Sequence, residues 1–261
     1  MNGASTVNNT LRAAFSYCVQ QVRSYDYHHY LCLLHLPPAV RRAAFALRAL
    51  NVETARAMDV ASDPKIGLMR LLWWQEAIDK IYSRKLIEHP VAQALSSVVS
   101  DHKISKHWLR RSLDARINDA NRDDWWDRIY GRRPRGLTYW ESKRAPVPYI
   151  PADVAEKHGL LIRSGSGSEV RMESGEDLSD VVFEVASAAG AHLQKARELA
   201  GTVPAEAVPA LLPAVPAQVL LDSLRRRQFN VFDSRSSRGV LGISPLWYQL
   251  KLKWHVLMNK Y

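Results

Sequence analysis

A chain of 261 residues makes one sizeable domain or two small ones. With 47% apolar and 24% charged residues it has a globular composition, which excludes a disordered or fibrous chain. Lys and Arg number 36 against 26 acids, a formal charge of +10, so an acidic neighbour is expected: nucleic acid, anionic lipid, a diphosphate, or an organelle rich in basic proteins.

No uninterrupted apolar run reaches the ~18 residues of a membrane span. The best candidate, Pro204 to Leu221, carries Glu206 and four prolines. Cys18 and Cys32 are the only cysteines, which excludes a disulfide framework, favours a reducing compartment and leaves no C-x-x-C pair for a thiolate zinc site. His28, His29 and His35 lie close together without an i, i+4 partner pattern, so no metal role is expected of them.

Residues 1–25 contain no acid. Leu11, Phe15, Val19 and Val22 recur at helical spacing beside Arg12 and Arg23. That stretch fits a mitochondrial targeting segment and fits an ordinary first helix equally. Pro37-Pro38 then ends a segment, and Val40, Ala44, Leu47, Leu50, Thr54 and Met58 mark one face of the next helix. After Ser62-Asp63-Pro64 a helix carries Leu71, Trp74, Ile78 and Ile81 on one side. Pro90 suits the first turn of another, with Val91, Ala94, Leu95 and Val98 inward. Ser105 is placed to cap a helix presenting Leu109, Leu113 and Ile117.

The stretch 123–146 has no period. It is basic, aromatic and proline-broken, with Arg132, Arg133, Arg135, Tyr139 and Trp140. Such text could stack and pair with nucleic acid, but a solvated basic loop is the simpler reading, and no nucleic-acid partner is expected. Helical text resumes at Pro151 and stops at Gly159, and the Ser- and Gly-rich segment from Ser164 to Gly175 reads as a loop. A long helix follows with Val181, Val185, Ala188, His192, Ala196 and Leu199 inward. Val219, Leu220 and Leu224 carry another to Arg225, Arg226 and Arg227, which read as a solvated helix end. Pro245 opens the last helix, with Leu246, Leu250, Trp254 and Met258 on one side and Lys251, Lys253 and Lys260 beside it. A core-packing helix with a solvated basic side is the favoured reading of it. No sustained two-residue alternation occurs, so the fold class is all-α.

No phosphate-binding loop, nucleophile elbow or H-E-x-x-H pair is present. The informative text is S-Y-D-Y-H-H-Y-L-C-L-L-H-L-P-P-A-V-R-R from Ser24, then A-F-A-L-R-A-L-N-V-E-T-A and L-L-W-W-Q-E-A-I-D-K-I-Y. Val147-Pro148-Tyr149-Ile150-Pro151 and Phe229-Asn230-Val231-Phe232-Asp233 continue it. Together these resemble the squalene/phytoene synthase family, and within it the mitochondrial branch that serves assembly of respiratory complex I. The resemblance implies an isoprenoid-synthase-like helical bundle over 26–233, preceded by 1–25 and followed by a C-terminal segment 234–261 with an amphipathic helix.

Active members of that family hold Mg²⁺ and a prenyl diphosphate between two D-x-x-x-D motifs. Carboxylates four apart share a helix face, and the metal takes up charge as diphosphate leaves. Anchored on Arg48, the resemblance puts Asn51 and Ala55 at the first pair of positions, with Glu53 off that face and Asp59 one turn beyond. The 123–146 stretch stands where the second motif belongs and is too short for it, so about two family helices are absent there. The expected protein is therefore non-catalytic, without a metal or other cofactor, peripheral to the matrix face of the inner mitochondrial membrane, with complex I intermediates or subunits as partners. An apolar interior holding a lipid or isoprenoid is compatible, and Arg41, Arg42, Arg48, Lys251 and Lys253 are the candidate anion or lipid contacts. The alternative is a Mg²⁺-dependent head-to-head prenyltransferase with a rearranged site at Glu53 and Asp59.

Overall fold

The computed structural model describes residues 2–85, 87–120, 154, 157–158, 161–164, 167–170, 175–204, 207–231, 241–258 and 261. The chain divides into two compact units, Met1–Arg122 and Asp123–Tyr261. As expected, the described residues are overwhelmingly helical.

The first unit holds six helices: α1 (Asn2–Tyr25), α2 (Tyr27–Leu34), α3 (Pro38–Ala55), α4 (Pro64–Tyr82), α5 (Pro90–Asp101) and α6 (Lys106–Ala120). Proline opens three of them, α3, α4 and α5, at a position whose N–H has no intrahelical partner. Asp63 caps α4 by accepting a hydrogen bond from the Lys65 N–H at 2.7 Å. α1 packs on α3 and α5, and α4 packs on α5 and α6. The small chains of Ala43, Ala46 and Ala49 on α3 let α1 approach through Ala14, Cys18 and Val22, all buried. Leu71, Trp74, Ile78 and Ile81 of α4 and Val91, Ala94, Leu95 and Val98 of α5 are buried as their spacing predicts, and so are Leu113 and Ile117 of α6. α3 departs from expectation: Val40 is exposed, and the buried side runs through Ala43, Phe45, Ala46, Ala49, Leu50 and Val52. α1, α2, α4, α5 and α6 all pack on α3, so its buried arc is wider than a single stripe.

Polar ties cross this unit at its surface. Asp79 of α4 accepts from Arg110 Nη1 with both oxygens at 2.8 Å and pairs with Lys106 at 3.0 Å, while Gln75 donates to Asp114 at 2.7 Å. Gly67 sits where α4 passes the end of α3: a Cβ there would lie 2.6 Å from Met58 Sδ and 3.3 Å from the Ala57 carbonyl oxygen.

Among its described residues the second unit holds a two-stranded antiparallel ribbon, β1 (Leu161–Ser164) and β2 (Gly167–Val170), then α7 (Gly175–Leu199), two 3₁₀ turns (Ala200–Thr202 and Val208–Leu211), α8 (Ala214–Arg226) and α9 (Pro245–Met258). The ribbon corrects the loop reading of this segment. Ser164 pairs with Gly167 across the ribbon. Four-residue strands are too short to show alternation. Between 151 and 159 the described residues are Val154, Lys157 and His158, with His158 N–H bonded to the Val154 carbonyl at 3.2 Å. Lys157 and His158 both reach Glu184 of α7 at 2.8 Å.

A small core forms around Leu178, Val181 and Val182, with Val154, Leu224, Phe229 and Val231 against it. Beyond it the inward assignment for α7 fails: Val185, Ala188, His192, Ala196 and Leu199 are exposed. A period identifies the apolar side of a helix; it does not supply the partner that covers it. α8 is tied to the turn before α9 by Arg227, which donates to the Ser223 carbonyl at 3.0 Å, to Ser223 Oγ at 2.6 Å and, through Nη2, to the Gly242 carbonyl at 3.4 Å. Ser223 Oγ in turn donates to the Leu241 carbonyl at 2.8 Å. Gly242 has φ +80°, and a Cβ there would lie 2.5 Å from Ser223 Oγ, so the position requires glycine twice over.

Candidate functional site

The positions that the sequence singles out lie along α3 and the turn after it. Asn51 is half-buried, while Ala55 and Asp59 are exposed. Glu53 points away from these, toward α1, and accepts a hydrogen bond from Tyr17 Oη at 3.0 Å. Burial, with the Glu53 charge adding to it, pushes the Tyr17 hydroxyl up to about 12. The same two causes push the Cys18 thiol up to about 12, so it is an inert core group.

Glu53 lines a cleft of about 530 Å³ within the first unit, with Arg56, Met69, Arg70, Trp73, Trp74 and His89 around it. His89 stands in an aromatic nest: its ring centroid is 4.9 Å from Trp74, 5.3 Å from Trp73 and 6.3 Å from Tyr17. Burial lowers its pKa against the opposing pull of Glu53, and Nδ1 is buried without a hydrogen-bond partner among the described residues. Arg56 lies over the Tyr25 ring at 3.3 Å, so one of the two guanidiniums is already held. The cleft is apolar with a cationic rim. In the sequence the W-W and H-P pairs that build it mark only a helix face and a helix start, because the contact between them is tertiary.

A second cluster joins the α1–α2 corner to α3. Asp26, the one residue between those helices, is buried and pairs with Arg48 Nε through Oδ2. Its Oδ1 lies 2.8 Å from His29 Nδ1 and 3.2 Å from His28 Nε2. Arg48 Nη2 is also 2.9 Å from His29 Nδ1. Burial alone would raise the Asp26 carboxyl, but hydrogen bonds from His29 and Arg48 outweigh it and hold the group at about 2. His28 is lowered, chiefly by burial.

Among the described residues, Asp26, His28 and His29 form the one group with metal-ligand spacing. The spacing is there, but the donor set does not suit a cation, because the Arg48 guanidinium already neutralises Asp26 and touches His29. Nor do the α3 positions suit a Mg²⁺–diphosphate pair: Asn51 offers a neutral amide, Ala55 offers no ligand, and Glu53 is engaged by Tyr17. No catalytic step follows from this donor set.

Most of the anion-contact candidates are already engaged. Arg41 donates from Nε and Nη2 to the Leu36 carbonyl at 3.1 and 2.8 Å, Arg42 lies 5.9 Å over the Phe15 ring, and Arg48 holds Asp26. In the second unit Lys251 is 3.8 Å from Asp222 and Lys253 is exposed. The 123–146 stretch, with Arg132, Arg133 and Arg135, lies outside the described residues.

Comparison with known proteins agrees with this architecture. The squalene/phytoene synthase family profile matches residues 22–130 and 138–241. A mouse protein named NADH dehydrogenase (ubiquinone) complex I, assembly factor 6 is 31% identical over 279 positions, covering 88% of this chain and 82% of its own length. The human protein of that name is 30% identical, covering 83% and 75%, and the Drosophila melanogaster homolog 31%, covering 94% and 84%. The mouse alignment is longer than this chain, so that relative carries residues with no counterpart here. Among solved structures, a dehydrosqualene synthase in complex with ligand superposes with a TM-score of 0.67 at 13% identity, over 97% of this chain and 99% of that one, a likeness of fold. By its sequence, this chain belongs to the squalene/phytoene synthase family.

Proposed function

We propose that the chain is a non-catalytic member of its family that acts in the assembly of respiratory complex I. It works in the mitochondrion, at the matrix face of the inner membrane, and its partners are complex I subunits or assembly intermediates. The observation that carries this reading is the set of animal proteins named as complex I assembly factor 6, about a third identical over more than four fifths of the chain. Asn51 and Ala55 support it, since a prenyl synthase needs carboxylates where they stand. That no described helix is long and apolar enough to cross a membrane is compatible with attachment at a surface. The apolar cleft beside Glu53, with Arg70 at its rim, suits the tail and anionic end of a lipid held without turnover.

Deleting the gene in a host that contains complex I tests the proposal. Native electrophoresis should show loss of the assembled complex, restored by this chain. Full complex I in the deletion strain, together with a missing prenyl product, would replace the reading with the enzymatic one.

A further inference from the structure

Helix α9 is apolar on two opposite sides, and its unit covers one of them. Tyr248 and Leu252 are buried. At about 100° per residue, Leu246, Leu257, Leu250, Trp254, Trp247 and Met258 fall in sequence around a continuous arc of about 120° on the other side. All six are exposed, Leu257 by 81%, Leu246 by 69%, Trp247 by 64% and Trp254 by 60%. Lys253 borders this arc on one edge and Lys251 on the other, and the helix carries no Asp or Glu. Leu246, Leu250, Trp254 and Met258, the stripe that the sequence assigned to the core, therefore face outward.

We infer that this arc is a docking surface for an anionic phospholipid bilayer, on which α9 lies in the plane of the interface. The inference rests on the reading that the protein works at a membrane, and it names the surface that does so. Three features select a bilayer as the occupant. Indole rings prefer the headgroup level, where their apolar body and N–H are both satisfied. Lys253, exposed on one edge of the arc, sets its ammonium group at the height of lipid phosphates while the arc enters the acyl boundary, and Lys251 on the other edge is shared with Asp222 at 3.8 Å. A 14-residue helix is about 21 Å long, too short to span, so it lies flat. A second copy of the chain is a poorer occupant. Two such arcs face to face bring lysine edge against lysine edge, with no acid on either helix to pair them and Asp222 of α8 already shared with Lys251.

The test is flotation of the full-length protein with vesicles of phosphatidylcholine alone and with added cardiolipin. The chain should rise with the cardiolipin vesicles, less so as salt increases. Joint Leu250→Ser and Trp254→Ser substitution should lower the partition at least about tenfold. Lys253→Glu should weaken binding to cardiolipin vesicles only. The replaced side chains are exposed, so thermal unfolding of the variants should match that of the parent. Without any substitution, bromine-labelled lipid should quench tryptophan emission of the parent chain.

Protein left in the aqueous fraction with both vesicle types, no quenching, or an unchanged partition of the double variant overturns the inference. So does loss of a self-associated species, or of a co-purifying protein, in place of vesicle binding. The deletion phenotype separates the two readings. Complex I lost on deletion but no vesicle binding sinks the docking surface alone; vesicle binding with intact complex I on deletion sinks the assembly role alone.

Discussion

Asp26 shows how one residue can hold a corner of a helical fold. It interrupts the run between α1 and α2, is buried, and is compensated by Arg48 from α3 and by His29. Its carboxyl is held at about 2 against an ordinary 3.8. A carboxyl held below its unfolded value stabilises the fold above that value, and the contribution disappears as pH falls from 3.8 to about 2. Asp26→Asn should therefore cost about 2 kcal/mol in urea unfolding at neutral pH. The variant should also show a flatter loss of stability across that acid window than the parent. Equal acid sensitivity of the two proteins would remove the account of the corner. The thiols give a second check at this scale. Cys18 is fully buried with its thiol raised to about 12, and Cys32 is 2% exposed. Neither should react with a disulfide reagent in the native protein, and both should react in denaturant. The sequence displayed Asp26, His28 and His29 side by side, but their meeting with Arg48 depends on how α3 folds back against the corner, which no local spacing encodes.

Elements were legible where an apolar stripe is covered along its whole length. α4 packs on α5 and α6, α5 packs on α1 and α3 as well, and every inward position named for α4 and α5 is buried. The signals fail where the stripe runs beyond what covers it. On α7 the stripe runs the whole length of the helix, yet only its first turns reach the core of their unit. This can be tested one turn apart. Val181→Thr places a hydroxyl in a fully buried site and should cost about 1–3 kcal/mol. Val185→Thr, at an exposed site, should stay within about 0.5 kcal/mol, and paired urea curves on the two variants decide it. An equal cost at both sites would mean that the sequence reading of α7 was right. The β-ribbon escaped for a different reason: Gly and Ser dominate its turn, and four-residue strands carry too little pattern to outweigh them.

At the scale of the whole chain, the family's architecture is present, and the proposed function holds that it persists without the family's chemistry. Ordered text along the chain identified the family, because the motifs recur in sequence regardless of which side chains remain reactive. The cleft beside Glu53 was not legible, since it needs the end of α3, the middle of α4 and the start of α5 brought together. The proposed function depends on Asn51 and Ala55 leaving Mg²⁺ and diphosphate without a carboxylate pair, and on Glu53 being tied to Tyr17. The most direct measurement is diphosphate release from farnesyl diphosphate by the purified chain, with and without Mg²⁺. The account predicts no release above the uncatalysed rate under either condition. Release that requires Mg²⁺ and is abolished by Glu53→Ala or Asp59→Ala would contradict it.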